Sequence, residues 1–299
     1  MSRKPVIGLA LGSGSARGWA HIGVIQGLEK IGVKPQVVAG TSIGALVGAV
    51  YVSGQLDEFA DWVQALTFRD VFGLVDVTFS GGVVKGEKLF GFFRDKHRSP
   101  DIESLEQRFV SIATDMKTGR EVWLSKGPIL RAARASCALP GLFSPVKMED
   151  RWMLDGGLVN PVPVSPCRAL GADVVIAVNL NAQLVGAHMP RESRAVATRE
   201  ADSGNGEDNT LWRKFADYFA SSDEDDEPGM LDVVSASINI MQDRITRSRM
   251  AGDPAEISLV PQLEDFVIMD FHRAGEAIEE GRKLVERHAN DILAWTGQP

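Results

Sequence analysis

VIGLALGSGSARGWAHIGVIQGLEKIGVKPQVVAGTSIGALVGAVYVSG, residues 6–54, alternates twice between two kinds of patterning. The runs VIGLAL (6–11) and VVAG (37–40) are short and apolar throughout, with no polar face, as in strands covered on both sides. GWAHIGVIQGLEKIG (18–32) and SIGALVGAVYVSG (42–54) are longer and read as helices, the second ending at Gly54. A β-α-β-α opening of this kind predicts an α/β fold: a mostly parallel central sheet between two helical layers.

The remainder of the chain continues in the same style. Asp57–Asp95 is helical but interrupted, with aromatic residues at Phe68, Phe72, Phe79, Phe90, Phe92 and Phe93. FVSIATD (109–115) and EVWLS (121–125) read as strands joined by a turn at Lys117-Thr118-Gly119. PILRAARASCAL (128–139) reads as a helix stopped by Pro140-Gly141, and a helix ending at Gly171 precedes a buried strand VVIAVNL (174–180). After Pro228-Gly229 come a helix over 231–250, a strand EISLVP (256–261) and a closing helix from about 270 to 294.

Charge is concentrated in one place. Of 40 acidic and 32 basic side chains, ten acids and two bases fall between Glu200 and Glu227, so that window alone carries the formal net charge of −8. The other 30 acids meet 30 bases. Residues 182–229 are read as an acidic, mobile insertion carrying one short amphipathic helix (210–220). Residues 1–181 and 230–299 are read as a single α/β domain. With 44% apolar residues the chain is not disordered. A pI near 5.2 without a basic run excludes a nucleic-acid coat. Two cysteines make no disulfide framework. The apolar run at 5–11 stops at Gly12 with no cleavage site, and no stretch of 18 apolar residues exists, so neither a signal peptide nor a spanning helix is expected. Cytoplasmic residence follows as the expectation.

Three segments carry candidate chemistry. In Gly12-Ser13-Gly14-Ser15-Ala16-Arg17-Gly18 the glycines let the backbone turn tightly between strand and helix. Consecutive N–H groups then face a phosphate or a developing oxyanion at a positive helix end. A dinucleotide fingerprint needs glycine where Arg17 stands, and a phosphate loop needs Gly-Lys-Ser/Thr where Gly18-Trp19-Ala20 stands. Glu29 and Asp57 are not placed for a ribose contact. The second segment, Gly40-Thr41-Ser42-Ile43-Gly44, has the G-x-S-x-G form between strand and helix, the setting of a nucleophile elbow. Ser42 alone would serve equally as a helix N-cap. The third, Asp155-Gly156-Gly157, ends a short apolar strand and is by itself an ordinary turn. His21, His97, His188, His272 and His288 read as helix-surface or loop residues, so no histidine base is evident. An elbow only 42 residues into the chain also departs from the order of the Ser-Asp-His hydrolases.

Taken in order, GSGSARG (12–18), GTSIG (40–44) and DGG (155–157) resemble the patatin-like phospholipase family, most closely its bacterial branch related to neuropathy target esterase. ATDMKTGRE (113–121), ASCALPGLFSPV (135–146) and NPVPV (160–164) resemble it too. The resemblance covers roughly 5–181 and, more loosely, 231–294, but not the acidic insertion. One departure is that Ser13 and Ser15 stand where the family loop often has glycine, and a positive φ at either would distort the loop.

What the resemblance implies is a patatin-like three-layer α/β/α fold and a Ser-Asp dyad without histidine. Ser42 would attack an ester carbonyl, and Asp155 would take its proton and later activate water. Backbone amides of Gly14, Ser15 and Ala16 would form the oxyanion hole, Arg17 would steady the loop or meet a lipid phosphate unless it is merely a surface charge, and no metal or cofactor is needed. The implied substrates are fatty acyl esters of phospholipids or lysophospholipids, met in transient contact with the inner membrane surface. Val71–Val75 and Leu89–Phe93 would line an acyl pocket, touch a bilayer or pack in the core. A catalytically weak scaffold and a nucleotide-binding protein using the 12–18 loop remain as alternatives.

Overall fold

The computed structural model describes residues 3–67, 70, 77–78, 83–84, 99–140, 143–182 and 230–297. The acidic window 200–227, the short helix expected at 210–220 and the whole aromatic cluster from Phe68 to Phe93 lie outside the described residues.

The opening forms as its patterning predicts. Strand β1 (Ile7–Leu11) leads through a 3-10 turn (Ser15–Trp19) into α1 (Ala20–Lys30); β2 (Val37–Thr41) leads directly into α2 (Ile43–Val52). All five residues of each strand are buried. Helix α3 (Leu56–Gln64) and a two-stranded hairpin, β3 (Val77–Thr78) with β4 (Val83–Val84), follow. Next come β5 (Arg108–Asp115), β6 (Glu121–Leu124), α4 (Ile129–Ser136), β7 (Val146–Met148), β8 (Arg151–Asp155), α5 (Val164–Ala169) and β9 (Val174–Val178). Beyond residue 230 lie α6 (Met230–Gly252), β10 (Ile257–Leu259), α7 (Ala274–Arg287) and α8 (Ala289–Thr296). His288, at φ −106° and ψ 9°, splits the single closing helix expected over 270–294 into the last two of these.

Strands β10, β9, β1, β2 and β5 run parallel in that spatial order. Alternate side chains feed two cores. Leu9, Leu11, Val38, Ile176 and Val178 face α1, α2, α3 and α7, whereas Ala10, Ala39, Val110, Ile112 and Ala177 face α5 and the end of α6. This is the three-layer α/β/α arrangement. Because β10 pairs with β9, the chain on either side of residues 183–229 shares one sheet.

The far side of β5 sets up everything that follows. Strand β6 pairs antiparallel through Trp123–Ile112 and Val122–Ala113, so it occupies one edge of β5 at those rungs. Thr41 of β2 pairs with the same Ile112, and Asp155 of β8 with the same Ala113. A strand has only two edges, so β2 and β8 share the other one. They run toward each other and abut end to end at consecutive rungs. No helix among the described residues is long and apolar enough to cross a membrane.

Candidate active site

The abutting strand ends bring Ser42 against Asp155. The Ser42 hydroxyl donates to Asp155 Oδ2 at 2.6 Å, the short distance of a charge-assisted bond. Ser42 itself sits at φ 56°, ψ −125°, a conformation that non-glycine residues rarely adopt and that costs roughly 1–3 kcal/mol. The strain holds because the surroundings leave no alternative. A Cβ added to Gly44 would lie 2.2 Å from the Leu11 carbonyl oxygen, so only glycine lets α2 start this close under the end of β1. Gly40, at the end of β2, is crowded likewise by the backbone of Ala45.

Burial divides the labour within the pair. Ser42 is half-buried and reachable, whereas Asp155 is only 1% exposed. Burial pushes the Asp155 carboxyl up to about 7, against the hydrogen bonds from Ser42 and from the Gly157 amide, which favour the carboxylate. The Gly157 N–H occupies Oδ1 at 2.7 Å, leaving Oδ2 to the serine. The Asp155 amide donates to the Ala138 carbonyl and Thr114 Oγ1 to the Asp155 carbonyl, so the aspartate is fixed from both sides of its backbone. Gly156 carries the turn onward, its carbonyl accepting from the Val159 and Asn160 amides. Cys137 is buried beside the pair, and burial, reinforced by the Asp155 charge, pushes its thiol well above the usual range. It stays un-ionised.

The glycine loop packs directly on the elbow. A Cβ on Gly18 would lie 2.3 Å from Ile43 Cγ1, and one on Gly14 would lie 2.6 Å from Leu180 Cδ1. The Gly12 amide donates to Val178 O and the Ser13 amide to Pro161 O. Of the three amides expected to form an oxyanion hole, that of Ala16 is instead directed to the Ile268 carbonyl at 3.4 Å. The cause is tertiary: the 3-10 turn lies against the segment before α7. Among the described residues the Gly14 and Ser15 amides donate to no backbone carbonyl. The two serines in the loop have different fates. Ser15 takes φ 51°, at a cost of about 1 kcal/mol, while Ser13 keeps negative φ and spends its hydroxyl on Gln242.

Two charged or titratable side chains prove to be internal: Arg17, for which a surface charge was one of the readings, and His21, read as a helix-surface or loop residue. Arg17 is 2% exposed, its Nε donates to the Gly14 carbonyl at 3.2 Å, and burial lowers its guanidinium to about 10. It steadies the loop and is no surface charge. His21 is fully buried under the same loop, with Nε2 2.8 Å from the Gly12 carbonyl, and burial lowers it to about 4. A neutral ring whose Nε2–H donates to that carbonyl satisfies the geometry. Of the other histidines, His288 hydrogen-bonds the Leu284 carbonyl, His272 lies in the 3-10 turn before α7, and His97 and His188 fall outside the described residues.

Residues 9–168 match the family model for patatin-like phospholipase, a span that holds the glycine loop, Ser42 and Asp155. The chain belongs to the patatin-like phospholipase family. An "uncharacterized NTE family protein" of Mycobacterium tuberculosis is 34% identical to it, over 95% of this chain and 91% of that one. Lysophospholipase NTE1 of Coccidioides immitis is 28% identical over 98% of this chain, which spans 18% of that longer protein. Among solved structures, VipD from Legionella pneumophila aligns with a TM-score of 0.41 at 11% identity, covering 98% of this chain and 79% of that chain.

Within this patatin-like chain several residues that the sequence did not single out complete the site. Ser136, at the end of α4 and fully buried, accepts the Ser42 amide at 2.7 Å and donates to the Ile112 carbonyl. The amide of the elbow serine is thereby engaged and unavailable to a substrate oxygen. Asn160 accepts Thr41 Oγ1 on its carbonyl at 2.8 Å, and its side chain donates to Glu121, which also pairs with Arg249. The NPVPV stretch thus ties the aspartate turn to β2 through Asn160 and to the glycine loop through Pro161. Its serine and asparagine partners carried no local signal, because a serine near a helix end and an asparagine before proline are ordinary in any chain.

Proposed function

We propose that the protein is a serine hydrolase of lipid acyl esters, working through a Ser42–Asp155 dyad and an acyl-enzyme. The observation that carries this reading is the 2.6 Å bond from the strained elbow serine to a buried carboxylate. Asp155 Oδ2 takes the proton as Ser42 Oγ attacks the ester carbonyl. The Gly14 and Ser15 amides, pre-set by Arg17 and His21 beneath them, receive the oxyanion; each such donor is worth about 10²–10³ in rate. Collapse returns the proton from Asp155 to the departing alcohol and leaves the acyl group on Ser42. Water then attacks, Asp155 again takes the proton, and release of the fatty acid restores the serine.

Raising a carboxyl toward 7 moves its basicity closer to what the reaction demands than an ordinary aspartate offers. Membership of a phospholipase family, and relatives called lysophospholipases, support acyl esters of phospholipids or lysophospholipids as the substrate class. We place residues 182–229 as an insertion within one catalytic domain, and the enzyme in the cytoplasm with transient contact at the inner membrane surface. The test is a panel of p-nitrophenyl esters, lysophospholipids and diacyl phospholipids, with wild type against Ser42→Ala. Turnover lost with the hydroxyl supports the assignment; no turnover by wild type, together with no fluorophosphonate labelling of Ser42, overturns it in favour of a scaffold role.

A further inference from the structure

Helix α6 enters the structure at Met230, beyond the span matched to the family, yet it sends a side chain between the two halves of the site. Gln242 is 5% exposed. Its Oε1 accepts two hydrogen bonds, from Ser13 Oγ at 2.8 Å and from Asn181 Nδ2 at 2.8 Å. Ser13 belongs to the glycine loop and Asn181 follows β9, whose last residue, Val178, accepts the Gly12 amide. Both partners are buried, and the Asn181 amide also donates to Ser13 Oγ at 3.3 Å. The other end of the carboxamide lies against the aspartate turn. A Cβ on Gly157 would stand 2.4 Å from Gln242 Nε2 and 3.0 Å from Asp155 Oδ1, so the amide nitrogen packs against the bare Gly157, where no side chain fits, close to the catalytic carboxylate.

We propose that Gln242 is a positioning residue: its carboxamide fixes the glycine loop relative to the Asp155 turn, so that α6 sets the spacing between oxyanion donors and base. This rests on the dyad reading above for its catalytic consequence, though not for its structural one. Two features distinguish the arrangement from plain packing. A buried polar side chain that only filled space would be replaceable by an apolar one of equal volume, since burying an amide without full pairing costs free energy. And one of the hydrogen bonds comes from Ser13 of the glycine loop itself, whose hydroxyl gives α6 a direct handle on that loop.

The test uses the full-length chain. Gln242→Leu keeps the volume and removes the acceptor. It should lower kcat on a soluble p-nitrophenyl ester by about 10–100-fold, the range expected when supporting contacts of a catalytic group are lost, with KM changed less than about threefold. Ser13→Ala breaks the same contact from the other side. The double variant should be no slower than the slower single one, because the two share one interaction. Wild-type kcat in Gln242→Leu, or multiplicative losses in the double variant, would overturn the proposal. Hydrogen exchange supplies an arm independent of activity: amides of residues 12–18 should exchange faster in Ser13→Ala and Gln242→Leu than in wild type, with α7 unchanged. If wild type hydrolyses nothing, the dyad reading fails while this exchange result still decides whether Gln242 holds the loop; unchanged exchange at 12–18 overturns it.

Discussion

Asp155 follows Thr41 by one rung along the same edge of β5, Thr41 opposite Ile112 and Asp155 opposite Ala113. The sheet itself therefore sets the reach from Ser42 to its base. Replacing Asp155 by Asn keeps the shape and the bond to Gly157 but removes the proton acceptor. Hydrolysis should fall at least about 10⁴-fold in both Asp155→Asn and Ser42→Ala, with the fold kept, as read by kcat and by circular dichroism. Near wild-type activity in either variant would remove that residue from the mechanism.

The pH dependence has a definite sign. In the proposed dyad Asp155 works as a base only when ionised, and burial pushes it up to about 7. kcat/KM should rise as pH increases through about 7 and level off above it. His21, lowered to about 4, contributes nothing to that limb. A limb near pH 4 to 5 would mean that the carboxyl titrates as if exposed.

Stability should move the opposite way through the same titration. The folded state holds the Asp155 proton up to about 7, whereas the unfolded chain releases it near 3.8. The stabilisation from the buried neutral acid is complete below pH 4 and lost as pH rises to about 7. Asp155→Asn never ionises and keeps it. The Tm of the variant relative to wild type should therefore increase between pH 4 and 8; a difference independent of pH would contradict the linkage.

Ser136 holds the Ser42 amide at 2.7 Å, and Ser136→Ala leaves that amide in a buried setting without its acceptor. The expected result is a destabilisation of about 1–3 kcal/mol and a drop in kcat with KM little changed, since the elbow is no longer pinned. Urea titration and steady-state kinetics measure the two effects. Retention of full kcat would show that the elbow strain is held by Gly40 and Gly44 alone.

Gly44→Ala should fail differently from Gly14→Ala. The added methyl at position 44 meets a backbone carbonyl oxygen at 2.2 Å, whereas at position 14 it meets the Leu180 side chain. The first should unfold the chain or cost well over 3 kcal/mol; the second should fold and lose catalysis by displacing the loop. Thermal melts beside fluorophosphonate labelling rates separate the two, and equal stability losses would contradict the assignment of Gly14 to the oxyanion loop.

Much of this was legible in the chain because the runs 6–11 and 37–40 have no polar face and reach glycine at Gly12 and Gly40. That pattern fixes strand, turn and helix together, and with them Ser42 and the 12–18 loop. Asp155 was legible as a residue in a tight turn. Its meeting with Ser42 was implied only by the family resemblance and not by the residues themselves, because it depends on which edge of β5 receives β8. Ala16 was expected to donate to substrate, but its amide goes to Ile268, a contact no local pattern encodes. The surface readings of His21 and, among its alternatives, of Arg17 fall for a related reason. Their acceptors are the Gly12 and Gly14 carbonyls, which the turned loop exposes to its own interior, so the polar side chains sit where helix periodicity expects apolar ones. Gln242 and Ser136 bond across more than ninety residues of chain, beyond any spacing rule.

The head-on meeting of β2 and β8 also has a consequence for biosynthesis. On the ribosome the elbow serine emerges long before the strand that carries its base, and the rung it must share with β8 belongs to a strand made in between. On the proposed dyad, a nascent chain of up to 150 residues thus holds the nucleophile but no means of activating it, and the proposed loop clasp by α6 comes later still. If Ser42 and Asp155 form the dyad, hydrolysis could begin only when the protein is nearly finished, so the order of translation itself withholds activity from an incomplete chain.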